Sequence, residues 1–125
     1  MALSYCWGTP GPPKTTLSSL KERLSAIQVS SLPIAFTETI SLTRKLGLQY
    51  IWIDSLCIIQ DSDSDWDIES AKMASVYEQA YLTIAASSSP SCDKTFLLER
   101  NAPLAIDCLD HNAQPSMVKA THVCT

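Results

Sequence analysis

The sequence predicts an α/β fold, a mostly parallel sheet flanked by helices. Apolar, β-rich runs over residues 3–7, 48–53 and 81–86 alternate with stretches of helical period, in the order strand, helix, helix, strand, helix, strand. Parallel strands in that succession are joined by right-handed crossovers, and ligands bind at the strand ends.

The first run ends at Gly8-Thr9-Pro10-Gly11-Pro12-Pro13, where prolines without amide donors and permissive glycines stop a strand and give an exposed loop. Over residues 14–27, Leu17, Leu20 and Leu24 recur at helical spacing and predict a short helix. A stronger helix follows. Ala35, Phe36, Ile40, Leu42 and Leu46 cover one side of it, Pro33 stands near the first turn, Arg44 and Lys45 complement its negative end, and Gly47 stops it. The junction to the next strand is very short, as αβ units favour.

Tyr50-Ile51-Trp52-Ile53-Asp54-Ser55-Leu56-Cys57-Ile58-Ile59-Gln60-Asp61 is an apolar run that holds Asp54 in its middle and breaks into polar residues. It reads as a buried strand delivering polar groups to a sheet edge. Asp61-Ser62-Asp63-Ser64-Asp65 then supplies N-cap residues for a helix expected from about Trp66 to Gln79. Trp66, Glu69, Met73, Val76, Tyr77 and Ala80 fall three or four apart on it, so Glu69 is expected to point inward between Trp66 and Met73. Residues 81–86 form a strand closed by Ser87-Ser88-Ser89-Pro90-Ser91, and from Asp107 no period is sustained. The expected organisation is one domain over residues 1–106 and an irregular or disordered tail over 107–125.

With 125 residues, 46% hydrophobic and 18% charged, the chain suits one domain with a real core and not a disordered segment. Nine basic against 13 acidic side chains leave a formal charge of -4, and no basic stripe interleaves with aromatics, which argues against nucleic-acid binding. No apolar run reaches membrane-spanning length, and Met1-Ala2-Leu3-Ser4-Tyr5-Cys6-Trp7 lacks the regions of a signal peptide. A cytoplasmic protein without membrane contact is expected.

The five cysteines (Cys6, Cys57, Cys92, Cys108, Cys124) include no C-x-x-C pair and have only His111 and His122 for company, so neither a metal site nor a disulfide framework is expected. Cys6 and Cys57 lie in apolar runs and read as small buried hydrophobes. Asp61-x-Asp63-x-Asp65 begins like a calcium loop but has Trp66 and Lys72 where glycine and glutamate are needed. Gly8, Gly11 and Gly47 build no phosphate-cradling motif, and no resident cofactor is expected.

What remains is a constellation: Ser4, Tyr5 and Trp7 ending one strand, Asp54 and Ser55 on a second, and Glu69 on an inward helical face. Adjacent strands bring such groups to one cleft, where carboxylates among apolar neighbours suit acid/base or charge-stabilising work. Two readings stand for each acid. Asp54 caps a turn, which is favoured, or serves a site; Glu69 pairs with a lysine or backbone amides, or acts on a ligand, with neither preferred.

These residues resemble the fungal heterokaryon-incompatibility (HET) domain. The similarity lies in the blocks Ala2-Leu3-Ser4-Tyr5-Cys6-Trp7-Gly8, residues 32–47, and residues 50–61 running on into Trp66, Glu69, Ser70, Met73, Val76, Tyr77, Ala80 and Ala85-Ala86. It implies a role in non-self recognition, in which fusion of unlike cells triggers programmed cell death, and a distant relation to TIR domains, hence a TIR/flavodoxin-like sheet. Members commonly carry a further strand upstream of the first block, so the domain is expected to be N-terminally truncated, missing that strand and leaving a sheet edge unpaired. By position, Glu69 matches the helical glutamate with which some TIR domains cleave NAD, which makes NAD a substrate and the chain a candidate glycohydrolase. Asp54 and Ser55 would lie near Glu69, Ser4, Tyr5 and Trp7 would help form the pocket, and Trp7 or Trp66 would stack on nicotinamide or adenine. The alternatives are a non-enzymatic module that self-associates or engages HET- or TIR-like signalling partners, and an inactive partial-gene fragment.

Overall fold

The computed structural model describes residues 1–98 and, beyond them, the backbone of residues 104–109 and 115–120. Its centre is β1 (Ala2–Ser4), paired in parallel with β2 (Thr83–Ala85) so that Leu3 stands opposite Ile84. On the other side of β1, Trp52 forms a parallel bridge: Leu3 N–H donates to Trp52 O at 3.0 Å and Trp52 N–H to Met1 O at 2.8 Å. The α/β class therefore holds, with two paired parallel strands and helices around them. The expectation that β1 lacks a neighbour does not hold. It is hydrogen-bonded on both sides, and among the described residues the sheet ends at β2 and at the Trp52 segment.

The sheet is smaller than the apolar runs suggest. The run over residues 48–53 contributes a single bridge, and Tyr50 within it is 81% exposed, so it is an edge segment and not a strand buried on both faces. It stops at Ile53 because the next residues close into one helical turn, α3 (Asp54–Cys57), with the Leu56 and Cys57 amides donating to Ile53 O. Asp54 thus opens a helical turn; it is not inside a strand.

Between β1 and the bridge lie α1 (Leu20–Ser25) and, after a 3-10 turn at Val29–Ser31, α2 (Ile34–Lys45). The helix expected over residues 14–27 is cut short because its first half is used elsewhere. Buried Thr15 bridges to Ile59, its amide donates to Ser55 O at 2.9 Å and its hydroxyl to Leu56 O at 2.7 Å. The Leu17 amide donates to Asp61 Oδ1 at 2.8 Å. A segment strapped across α3 in this way has no amides left for a helix, and Leu17 and Leu24 are exposed instead of packed.

Helix α2 occurs as expected, but its buried face is Ala35, Phe36, Thr39 and Thr43, while Leu46 is exposed. Both threonines satisfy their hydroxyls on the helix itself, Thr39 to Ala35 O at 2.7 Å and Thr43 to Thr39 O at 2.8 Å, and so pack as hydrophobes. Phe36 joins Leu3, Ala35, Ile53, Ala86 and Cys92 in the core, with Tyr5, Leu56 and Phe96 around them. Glu38 holds the chain after β2, accepting from the Thr95 hydroxyl and from the Phe96 amide at 3.2 Å.

Helix α4 (Asp63–Gln79) starts before Trp66, capped by Ser62, whose hydroxyl accepts from the Asp65 amide at 3.3 Å. Asp65 in turn accepts the Ile59 amide at 2.8 Å, so the acidic repeat is engaged with backbone donors. The helix lies against the sheet through Tyr77, edge-on to Trp52 at 5.4 Å and donating to Leu3 O at 3.4 Å. Farther along, β3 (Leu104–Leu109) and β4 (Pro115–Ala120) pair antiparallel. The irregular tail expected over 107–125 falls partly on these strands, and its remainder, with His111, His122 and Cys124, lies outside the described residues. Among the described residues no helix is long and apolar enough to cross a membrane.

Candidate functional site

Leaving β1 in extended form, the chain sends Tyr5 and Trp7, two positions apart, to the same side, where α3 begins. Tyr5 Oη donates to Ser55 Oγ at 3.0 Å, and Trp7 Nε1 donates to Asp54 Oδ2 at 2.9 Å. The other oxygen, Asp54 Oδ1, accepts from the Ser55 amide at 2.6 Å, a local bond within the first turn of α3, whose N-cap residue Ile53 has no side-chain cap. Gln60 Nε2 closes the turn from behind, donating to Asp54 O at 3.3 Å and Ile58 O at 3.0 Å. Four of the expected site residues therefore meet in one hydrogen-bonded cluster.

The cluster is fixed at both ends. Ser55 is fully buried, and the Tyr5 ring stands edge-on to Phe36 at 5.0 Å. Burial drives the Tyr5 phenol far above the ordinary tyrosine range; the Ser55 hydrogen bond opposes this and the Asp54 charge adds to it, so the phenol stays protonated. Trp7 is half-buried, with Lys14 Nζ 4.9 Å from its ring centroid. Its backbone is set by Gly8, whose φ is +71° and which leaves no room for a side chain: an added Cβ would overlap Ser91 Cβ and lie 2.9 Å from Ser91 Cα. The loop after β2 thereby presses on the loop after β1.

Glu69 lies on the half-buried side of α4, as its spacing predicts, with its side chain 27% exposed and ion-paired to Lys72 at 2.9 Å. Among the described residues it makes no hydrogen bond to the cluster. Its proximity is felt at Cys57, whose thiol is pushed up first by burial and then by the charges of Asp54 and Glu69. Trp66, expected beside Glu69 on the inner face, is 42% exposed. The Ser4 side chain is exposed and its carbonyl is held in the sheet by the Ala86 amide at 2.8 Å.

Cys6 and Cys57, expected to be buried, both reach the surface, whereas Cys92 is the buried one among the described residues. Cys6 alternates with Tyr5 and Trp7 and so points away from the packed side, and Cys57 ends α3 on its open face. Among the described residues no three histidine, cysteine or carboxylate side chains stand together as a metal site. Two clefts lie elsewhere, one of about 390 Å³ bounded by Ala2, Trp52, Lys72 and Val76, and one of about 510 Å³ beside Arg23. Neither is lined by the cluster or by Glu69.

Lys14, Thr15, Gln60 and Gly8 were not foreseen as parts of the site. Gln60, the polar residue ending an apolar run, carried a readable signal; Lys14 in a proline-flanked loop carried none. The cluster offers an oriented indole bonded to one carboxylate, an ammonium over its ring and a phenol that stays neutral, while Glu69 on α4 is ion-paired with Lys72.

Searches of curated proteins and of solved structures yield no match to this chain. A family profile described as Heterokaryon incompatibility protein (HET) matches residues 1–122, which takes in β1, α3, α4 and every residue of the cluster. Over nearly its whole length, then, the chain belongs to the heterokaryon-incompatibility (HET) family, with a function related to heterokaryon incompatibility.

Proposed function

We propose that this chain acts in the fungal cytoplasm in non-self recognition, contributing to programmed cell death by cleaving the nicotinamide N-glycosidic bond of NAD. One observation carries this reading. Asp54 on α3 accepts the Trp7 indole N–H at 2.9 Å, so a carboxylate and an oriented aromatic ring stand together, and α4 carries the half-buried Glu69, whose charge with that of Asp54 raises the Cys57 thiol.

The two acids are not equivalent. Asp54 has both oxygens engaged, by Trp7 and by the Ser55 amide, and positions the indole. Among the described residues Glu69 is engaged only by Lys72, through a solvent-accessible pair of a kind worth at most about 1 kcal/mol, so its carboxylate is the one that can be recruited. As the bond from C1′ of the ribose to nicotinamide breaks, its electron pair leaves with the nicotinamide nitrogen and the ribose takes on oxocarbenium character. A carboxylate close by stabilises that charge. Water then adds to C1′, its proton passes to solvent, and ADP-ribose and nicotinamide are released. Trp7 offers a ring face already oriented, the exposed Trp66 a second, and Ser4, Tyr5 and Ser55 border and support the site.

Incubation of the protein with NAD, with detection of free nicotinamide, tests this. Glu69→Ala is expected to abolish release while its melting temperature stays within a few degrees, about what loss of an exposed ion pair costs. Unaltered turnover in that variant, or its global unfolding, would remove the catalytic role. A second reading draws on the Glu69–Lys72 pair and on the position of the cluster outside both clefts: a module that signals by self-association, or an inactive fragment. No nicotinamide release from concentrated wild-type protein would select it.

A further inference from the structure

Beside the cluster stands a cation that joins no ion pair among the described residues. Lys14 Nζ sits 4.9 Å from the centroid of the Trp7 ring, and the ion pair found among the described residues is Lys72 with Glu69, so no described carboxylate oxygen lies within 4 Å of Lys14 Nζ. Its side chain is exposed but its backbone is not free to wander. Pro12 before it and Thr15 after it are buried. The Thr15 amide bonds to Ser55 O at 2.9 Å, the Thr15 carbonyl accepts from the Gln60 amide at 2.8 Å, and the Leu17 amide is held by Asp61. The backbone that carries Lys14 is thus strapped to the same α3 turn that supplies Asp54 and Ser55, and its ammonium lies over the Trp7 ring.

Charge makes that placement matter. Asp54 presents negative charge to this surface and would repel an anionic ligand, whereas an ammonium outside any close ion pair, beside an oriented indole, attracts one. The hold of Lys14 on the indole is a weak cation–π contact at an exposed position, which a phosphate oxygen readily outcompetes. Movement of the ammonium onto such an oxygen also uncovers the indole face for a ring.

We propose that Lys14 is the anion anchor of this site, so that the ligands it takes are phosphorylated nucleosides, the ring stacking on Trp7 and a phosphate pairing with Lys14. This rests on the site proposed above for NAD but assigns it a specificity determinant that the cleavage chemistry does not require. The full-length chain, its Lys14→Gln variant and its Lys14→Arg variant are compared with two probe pairs: NAD against nicotinamide riboside for nicotinamide release, and ADP against adenosine for binding by calorimetric titration. Lys14→Gln is expected to lower both the NAD-over-riboside and the ADP-over-adenosine preference by about tenfold, the factor expected for one charge-assisted hydrogen bond, and Lys14→Arg is expected to restore most of it. Added salt should erode the wild-type preference and leave that of Lys14→Gln flat. Preferences unchanged in Lys14→Gln, or wild-type protein that binds neither ADP nor NAD, overturn the anchor. Lys14-dependent ADP binding without nicotinamide release would retain the anchor and reject the cleavage reading; release that ignores Lys14 would do the reverse.

Discussion

The link between β1 and α3 can be weighed by removing one oxygen. Tyr5→Phe keeps the ring and its 5.0 Å edge-on contact with Phe36 but deletes the 3.0 Å hydrogen bond to Ser55. Ser55 is fully buried, so its hydroxyl is left without the donor it accepted from. A buried polar group stripped of its partner costs about 1–3 kcal/mol, and we take about 2 because Ser55 has no exposure through which water could replace the phenol. At this chain length that is a fall in melting temperature of about 8 °C. Ser55→Ala strands the half-buried phenol, which solvent reaches in part, and should cost about 1 kcal/mol. The double variant removes both polar groups and should be more stable than Tyr5→Phe alone, because exchanging both partners for apolar groups leaves nothing unsatisfied. Urea denaturation followed by far-ultraviolet circular dichroism gives all four corners of the cycle. Costs that simply add, within about 0.5 kcal/mol, would show that the two hydroxyls do not depend on each other and would refute the account of the cluster floor.

Two further outcomes follow from the same structure. Gly8→Ala should cost about 2 kcal/mol or more, since the residue has φ +71° and its new methyl meets Ser91, whereas Gly47→Ala, at φ +70° in open space, should cost only about 1 kcal/mol; equal losses in urea midpoint would mean that the Ser91 loop yields freely. Stability should also fall in alkali. Burial, the leading cause in each case, raises the Cys92 thiol from 9.0 and the Tyr5 and Tyr77 phenols from 10.0, so the folded chain keeps protons that the unfolded chain releases. Their stabilisation is complete below about pH 9 and declines as pH rises above it, first through the thiol and then through the phenols. Melting curves across that range should show the decline, and less of its upper part in Tyr5→Phe; a melting temperature constant to about pH 11 would contradict the burial of these groups.

The class of fold and the membership of the cluster were legible in the sequence, and the reason is local. Alternation along residues 3–7 puts Tyr5 and Trp7 on one side, and helical spacing puts Glu69 on the inner side of α4, whatever the rest of the chain does. Local rules give direction but not depth. Glu69 faces inward yet stays partly solvated, and Lys72, at a spacing that already marks it as a partner, takes its charge. Trp66 shares the spacing but lies where α4 has begun and the sheet does not yet cover it.

The extent of the strands was not legible, because it depends on what each backbone amide finds elsewhere. The apolar run around Asp54 looks alike as a strand end and as the approach to a helical turn, and the choice falls to the turn because Trp7 and the Ser55 amide converge on that carboxylate. Leu17 and Leu24 keep helical spacing, yet the amides before α1 are claimed by Ser55 O and Asp61. The same long-range dependence decides the site itself. Trp7 reaches Asp54 only because Gly8 lets the backbone pass against Ser91, a contact between the loops after β1 and β2 that no local pattern encodes. An indole placed by three separate segments is harder to foresee than any one of them, but it is also more rigid, since moving it means moving the Asp54 turn, the Ser91 loop and the strap through Thr15 together.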